Sequence, residues 1–205
     1  MRHKGWYLPH ALIYYYCDAP ACRVDARLCR RLTPPPARRA AALPARHRDE
    51  VAAVFPRAEL AGILVMPTCQ RATVDLVRVG DEIEQEKDRL LERFLAFARA
   101  ATDHLAAAGH WAEFIDPCSG LPMRDRSAAA GVYDEVGGLA ALRGFATANA
   151  GCCKVVLHPR WGAAVYPATL FARAPAEAVV AAVVAAEAAL AGTHGDGGGA
   201  GGDAA

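Results

Sequence analysis

Apolar side chains recur at three- and four-residue intervals from Asp81 to Ala108, through Ile83, Leu90, Leu91, Phe94, Ala98, Ala101 and Leu105. That period predicts one long amphipathic helix. Asp81, Glu82, Glu84 and Glu86 crowd its first turns, where the positive end of the helix dipole favours acids, and Gly109 supplies a stop. A short helix is predicted within PARHRDEVAAVFP, bounded by Pro44 and Pro56, with Val51, Val54 and Phe55 on its apolar face. Pro175 opens a further Ala/Val helix that runs to Leu190.

Continuous or alternating apolar runs predict the strands. LAGILVM is continuous and therefore expected to be buried on both faces; ATVDLVRV alternates, and Pro67 separates the two. HWAEFI predicts a short strand closed by the turn DPCSG, in which Asp116 and Pro117 set the turn and Gly120 releases it. From there to residue 150 the reading is loop with one short helix. In GCCKVVLHPRWG, at 151–162, the pattern predicts a strand from Cys152 to His158 and a turn over Pro159–Gly162. A second strand over 163–172 completes the expected hairpin, and Pro167 places it at an edge or a bulge.

Three prolines, Pro34 to Pro36, divide the chain into a basic, poorly ordered arm (1–42) and a folded domain (43–191), followed by a glycine-rich tail (192–205). With 205 residues and 54% apolar side chains, the chain suffices for one domain with a core. Residues 1–48 hold ten Lys or Arg against Asp18 and Asp25, a net +8, which leaves −7 on the rest of a chain of formal charge +1. The arm lacks the aromatic spacing of single-strand binders and the domain behind it is acidic, so no nucleic-acid partner is expected. The Ala-rich stretch 178–192 is short and carries Glu187, so no membrane span is expected either.

Seven cysteines (17, 22, 29, 69, 118, 152, 153), odd in number and irregularly spaced, read as thiols in a reducing compartment. Cys17, Cys22 and Cys29 match no zinc spacing, Cys69 and Cys118 stand singly beside turns, and His194 in the tail is no ligand. Glu113 and Asp116 could form a carboxylate pair, although Asp116 before proline reads as a turn former. No dinucleotide, Walker, zincin or nucleophile-elbow motif is present.

Cys152 and Cys153 are the notable pair. On one strand they leave opposite faces: Cys153 with Val155 and Leu157, an apolar face, and Cys152 with Lys154, Val156 and His158. A thiol beside cationic neighbours has a larger thiolate fraction, which makes Cys152 the functional candidate and Cys153 a core residue. The alternative makes both buried packing residues.

GHWAEFIDPCSGL at 109–121, RGF at 143–145, GCCKVVLHPRWG at 151–162 and LFARAP at 170–175, preceded by EIEQEKDRLLERFLAFA, resemble in order and spacing the cobalamin-trafficking CblD family of methylmalonic aciduria and homocystinuria type D. The resemblance runs from 43 to 183; Cys118 stands where serine is expected, 122–142 is only loosely similar, and 1–42 is unmatched. It implies an α+β fold, a modified nitroreductase-like sandwich with a mixed, largely antiparallel sheet, packed helices and no flavin. It also implies an adaptor without an enzymatic reaction, located in the cytoplasm, the mitochondrion or both. Such a protein holds no cofactor tightly by itself. It meets cobalamin in complex with a cobalamin-processing (CblC-like) partner, ligates cobalt through a cysteine, and directs the cofactor to methionine synthase or methylmalonyl-CoA mutase.

The implied ligand lies in the Cys152–Cys153 pair, with Cys152 favoured and Lys154 and His158 as thiolate support. Trp111, Phe114, Asp116, Pro117, Gly120, Gly151, Cys153, Trp161 and Gly162 are expected to be structural. Two other readings remain beside it: a flavin-dependent reductase of the related fold, and a structural partner-binding domain with core cysteines.

Overall fold

The computed structural model describes residues 14–15, 45–126, 129–151 and 153–192. Its strands are β1 (Tyr14–Tyr15), β2 (Leu64–Arg71), β3 (Trp111–Phe114), β4 (Ala146–Ala150), β5 (Cys153–Leu157) and β6 (Val165–Arg173). The helices are α1 (Ala45–Val54), α2 (Asp81–Ala107), α3 (Glu135–Arg143) and α4 (Ala176–Gly192). The fold is α+β, with a four-stranded sheet ordered β1-β2-β6-β3 and a separate β4-β5 pair, every pairing antiparallel.

Helix α2 forms where the period places it, and its buried residues Ile83, Leu90, Phe94, Phe97, Ala98, Ala101 and Leu105 make one stripe. With α4 it covers one face of the sheet, packing Val179, Ala182, Val183 and Ala186 against Leu64, Met66, Phe114, Ala168 and Leu170. The other face carries Ile63, Val65, Ile115 and Phe171, covered by Val51, Val54 and Phe55 from the α1 segment and by Tyr133 and Leu142. Beside them Cys69 and Val165 meet Leu139 of α3 and Val156 of β5. The hairpin β4–β5 therefore lies over the end of this second face.

Three readings of the sequence are corrected. ATVDLVRV forms turns, because the Asp75 carboxylate accepts the Val77 N–H (3.0 Å) and Glu86 accepts the Thr73 N–H (2.7 Å), which leaves no ladder; Val79 is 97% exposed. The strand 153–157 pairs with β4, in the stretch expected to be loop, and β6 pairs with β2 and β3 instead. β6 is buried at almost every position, which suits an interior strand, whereas β5 buries one face only.

The third correction concerns the prolines. Pro67 lies inside β2 opposite Thr169, and Pro167 lies inside the interior strand β6 opposite Cys69. Ile115 N–H donates to the Thr169 carbonyl (3.1 Å), so Thr169 turns its backbone toward β3 and Pro67 turns its nitrogen the other way. Among the described residues β1 pairs only with Leu64 and Val65, and β3 stops opposite Leu170. The Pro167 nitrogen thus faces the β3 side beyond the last paired residue of β3, and among the described residues no strand pairs with β2 at Pro67.

Trp111 is half-buried and packs its ring edge-on to Phe55 (5.4 Å), which in turn meets Phe171 (4.9 Å). The cost of 3–5 kcal/mol expected for full burial is therefore too large. Trp111→Ala is expected to destabilise by about 2 kcal/mol, read as a lowered urea midpoint; an unchanged midpoint would mean that the ring contributes nothing to the core.

Candidate functional site

Gly151 stands after the last β4 residue in the left-handed region, at φ +62°, as the first residue of a two-residue hairpin connection must when its twist follows the strands. Ala150 pairs with Cys153, so Gly151 and Cys152 make up that connection; Cys152 itself lies outside the described residues, as do Cys17, Cys22, Cys29 and His194. Asn149, Gly151, Cys153 and Lys154 are all exposed, whereas Val156 and His158 are buried. The hairpin is anchored at its open end and presents its turn to solvent.

This reverses the expected faces. Val156 packs with Cys69, Leu139 and Val165, so the face shared by Lys154, Val156 and His158 points inward. Cys153 belongs to the other face and is an exposed thiol, not a core residue. Lys154 shares the inward parity yet is exposed, because the strand has by then run past the core. His158 lies at the far end of β5, four residues or roughly 13 Å from Lys154, and so beyond reach of a thiol at the turn.

His158 is held in a stack of rings. Its imidazole lies flat against Trp161 (3.8 Å, 14°) and edge-on to Phe145 (5.3 Å), and its Nδ1 accepts the Arg160 N–H (3.2 Å). Burial, then Arg160 and Arg143, lower its pKa, so the ring is neutral near pH 7. Reciprocal backbone bonds between His158 and Gly162 (2.9 Å each) close the tight loop that sets Trp161, and Gly162 sits at φ +56°. Trp161 and Gly162 thus shape the loop that follows β5.

Beneath the hairpin, Glu135 is fully enclosed: Oε2 accepts the Thr169 hydroxyl (2.5 Å), and Oε1 has no partner among the described residues. Burial pushes its pKa to about 8, against the Thr169 hydrogen bonds, with Asp134 and Glu50 adding to the rise. Neighbouring Cys69 is pushed to about 12 by burial, Arg143 opposing and Glu135 assisting, which makes it an inert thiol. A glutamate raised in the fold is protonated there while the unfolded chain ionises. Stability should fall as pH rises from about 4.5 to about 8, on the order of 1 kcal/mol per pH unit, and the effect vanishes below that window. Glu135→Gln should flatten the pH dependence of the melting temperature and raise it at pH 8. A parallel profile for variant and wild type would contradict this.

The first motif braces the sheet. Phe114 is buried edge-on to Phe94 (6.1 Å). Asp116 accepts the Cys118 N–H (3.1 Å) and the Ser119 hydroxyl (2.7 Å), and Gly120, at φ +71°, accepts the Tyr133 N–H (2.8 Å). A Cβ on Gly120 would lie 2.9 Å from the Tyr133 carbonyl oxygen. Pro117 is half-buried within this turn, and the Cys118 thiol lies 3.9 Å from the Tyr166 hydroxyl. The turn therefore supports β3 and β6, not the cysteine strand.

Glu113 and Asp116 do not form an acid pair. The buried Glu113 carboxylate accepts the N–H groups of Phe114 (2.8 Å), Met123 (3.2 Å), Arg124 (2.9 Å) and Asp125 (2.9 Å). Glu113's role, the burial of Glu135 and the ring contact of Phe145 were missed by sequence reasoning; only RGF within the resemblance pointed toward Phe145. Among the described residues no group of three or more His, Cys, Asp or Glu could hold a metal ion, and no helix is long and apolar enough to cross a membrane.

The class is an α+β scaffold with an antiparallel sheet and a separate hairpin whose strand β5 opens on an exposed thiol, Cys153. A family profile described as methylmalonic aciduria and homocystinuria type D protein matches residues 39–184, and the chain belongs to that family. Its relatives include the cobalamin trafficking protein CblD of Rattus norvegicus, 31% identical over 63% of this chain and 44% of that protein. The CblD of Homo sapiens is 31% identical over 62% of this chain and 43% of its own length, and that of Mus musculus 29% over 65% and 45%. The matched segment thus spans less than half of each of these relatives.

Proposed function

We propose that this protein is a cobalamin-trafficking adaptor without an enzymatic reaction of its own. It docks on a corrinoid-carrying, cobalamin-processing partner and offers a hairpin thiolate to the cobalt of the cargo. The observation that carries this reading is the hairpin itself, anchored through Val156 and the His158 stack and exposing Cys153 beside its turn, with Cys152 next to it in sequence. A projecting turn can enter a partner's pocket where a buried strand cannot. Membership of the family supports the cargo.

Thiolate is a soft ligand suited to a mid-row transition ion, and ligation requires that the thiol proton leave. Cys152 is the proposed ligand, and the Lys154 ammonium favours its anion. Cys153 is the second reading, favoured by its exposure. His158 drops out of the support role on distance. Delivery to methionine synthase or methylmalonyl-CoA mutase, the kinship to a nitroreductase-like sandwich that has lost flavin, and the division into arm, domain and tail belong to the same proposal.

Two measurements on the purified chain test it. An absorbance scan should lack flavin bands, and gel filtration with the corrinoid-loaded partner should give a complex. Near-stoichiometric flavin would favour the reductase reading, and failure to form any complex would contradict the adaptor.

A further inference from the structure

A further step, which rests on the adaptor reading, concerns the chemistry of the surface that the hairpin meets. From Val136 to Ala176 the chain carries Arg143, Lys154, Arg160 and Arg173 and no Asp or Glu, although the chain beyond the N-terminal arm is net negative. Arg173 lies at the end of β6 and pairs with Glu59 (2.5 Å). The other three cations belong to the hairpin layer.

Arg143 holds its guanidinium over the Phe145 ring (5.6 Å) and Arg160 over Trp161 (5.9 Å), with His158 between the two rings. Among the described residues no carboxylate lies within ion-pair distance of Arg143 or Lys154. An arginine held over an aromatic face has less motion to lose when it binds a carboxylate. Trp and Arg together are also the residue types on which protein interfaces concentrate their energy.

We propose that the β4–β5 hairpin and the Phe145–His158–Trp161 stack form a docking surface for an acidic protein surface on the corrinoid-carrying partner, with Arg143, Lys154 and Arg160 as the complementary charges. Two other occupants fit poorly. The N-terminal arm is itself strongly basic and is repelled from a cationic face. A second copy related by two-fold symmetry would set the same cations against one another. An acidic partner instead gains in encounter rate and in register, and the docked stack fixes the hairpin whose turn carries the cysteines.

The test is the affinity of the full chain for the corrinoid-loaded partner, measured by titration calorimetry from about 50 to about 300 mM NaCl, a range over which exposed charges become screened. The dissociation constant should rise by about tenfold across that range. Arg143→Gln/Arg160→Gln should weaken binding about tenfold at low salt and flatten the salt dependence, whereas Arg78→Gln/Arg99→Gln, on the α2 side, should not. The salt series on the wild-type chain reads the same property without depending on whether any variant folds. A tight complex that ignores both salt and the two arginines overturns this inference alone. Absence of any complex at low salt overturns it together with the adaptor reading.

Discussion

On the proposed adaptor reading, Cys152→Ser is expected to bind a corrinoid-loaded partner yet leave its cob(II)alamin spectrum unchanged, where the wild-type chain is expected to shift it. Serine keeps the size of the side chain but replaces an ionisable thiol by a hydroxyl that does not ionise in the accessible range, so the soft anionic donor is lost. An interface draws on many residues, and one metal bond is not required for association. Cys153→Ser should retain both the signal and the stability, because the structure places Cys153 in solvent, not among Val155 and Leu157. The opposite pattern would move the ligand one residue along, to Cys153. For the chain with an effective ligand, the signal should grow with pH through the thiol titration, since only the deprotonated sulfur binds.

Glu113→Gln should be a damaging change for so conservative a substitution, lowering stability by roughly 2–3 kcal/mol. The wild-type carboxylate is buried and gathers four backbone N–H groups, three on Oε1 and one on Oε2. An amide can keep its one acceptor oxygen on the Oε1 side, but it then turns its NH2 toward the Asp125 N–H, donor against donor, in a largely buried site. The Met123–Asp125 segment should detach from β3 first, seen as loss of amide exchange protection there. A urea midpoint equal to that of wild type would show that these bonds contribute little.

Much of the scaffold is legible from period alone. Helix α2 was read almost residue for residue because its stripe is long and its ends are marked by acids and by Gly109. β3 and the DPCSG turn follow from a short apolar run closed by Asp-Pro and Gly. The hairpin was harder, for physical reasons. Hydrophobicity ranks Cys153, Val155 and Leu157 above Lys154, Val156 and His158, yet the second set faces inward, since His158 is sandwiched between Phe145 and Trp161 and the tip outruns the core. β4 is Ala, Thr and Asn, a composition without strand preference, and it forms because Gly151 turns the chain back onto β5. Glu135 at the start of a helix reads as an ordinary dipole-favoured acid; only the three-dimensional neighbours, Thr169 and Cys69, reveal a buried one.

The proposed ligation of cobalt by a hairpin thiolate is read directly by electron paramagnetic resonance. Partner loaded with cob(II)alamin is titrated with the wild-type chain, and the same titration is run with the Cys152→Ser/Cys153→Ser chain. A new cobalt(II) signal is expected for the wild type, with g and hyperfine values shifted toward axial sulfur ligation, that saturates with complex formation and is absent for the double variant. A cobalt signal that stays unchanged in a saturated wild-type complex, or a shift that survives removal of both thiols, would contradict it.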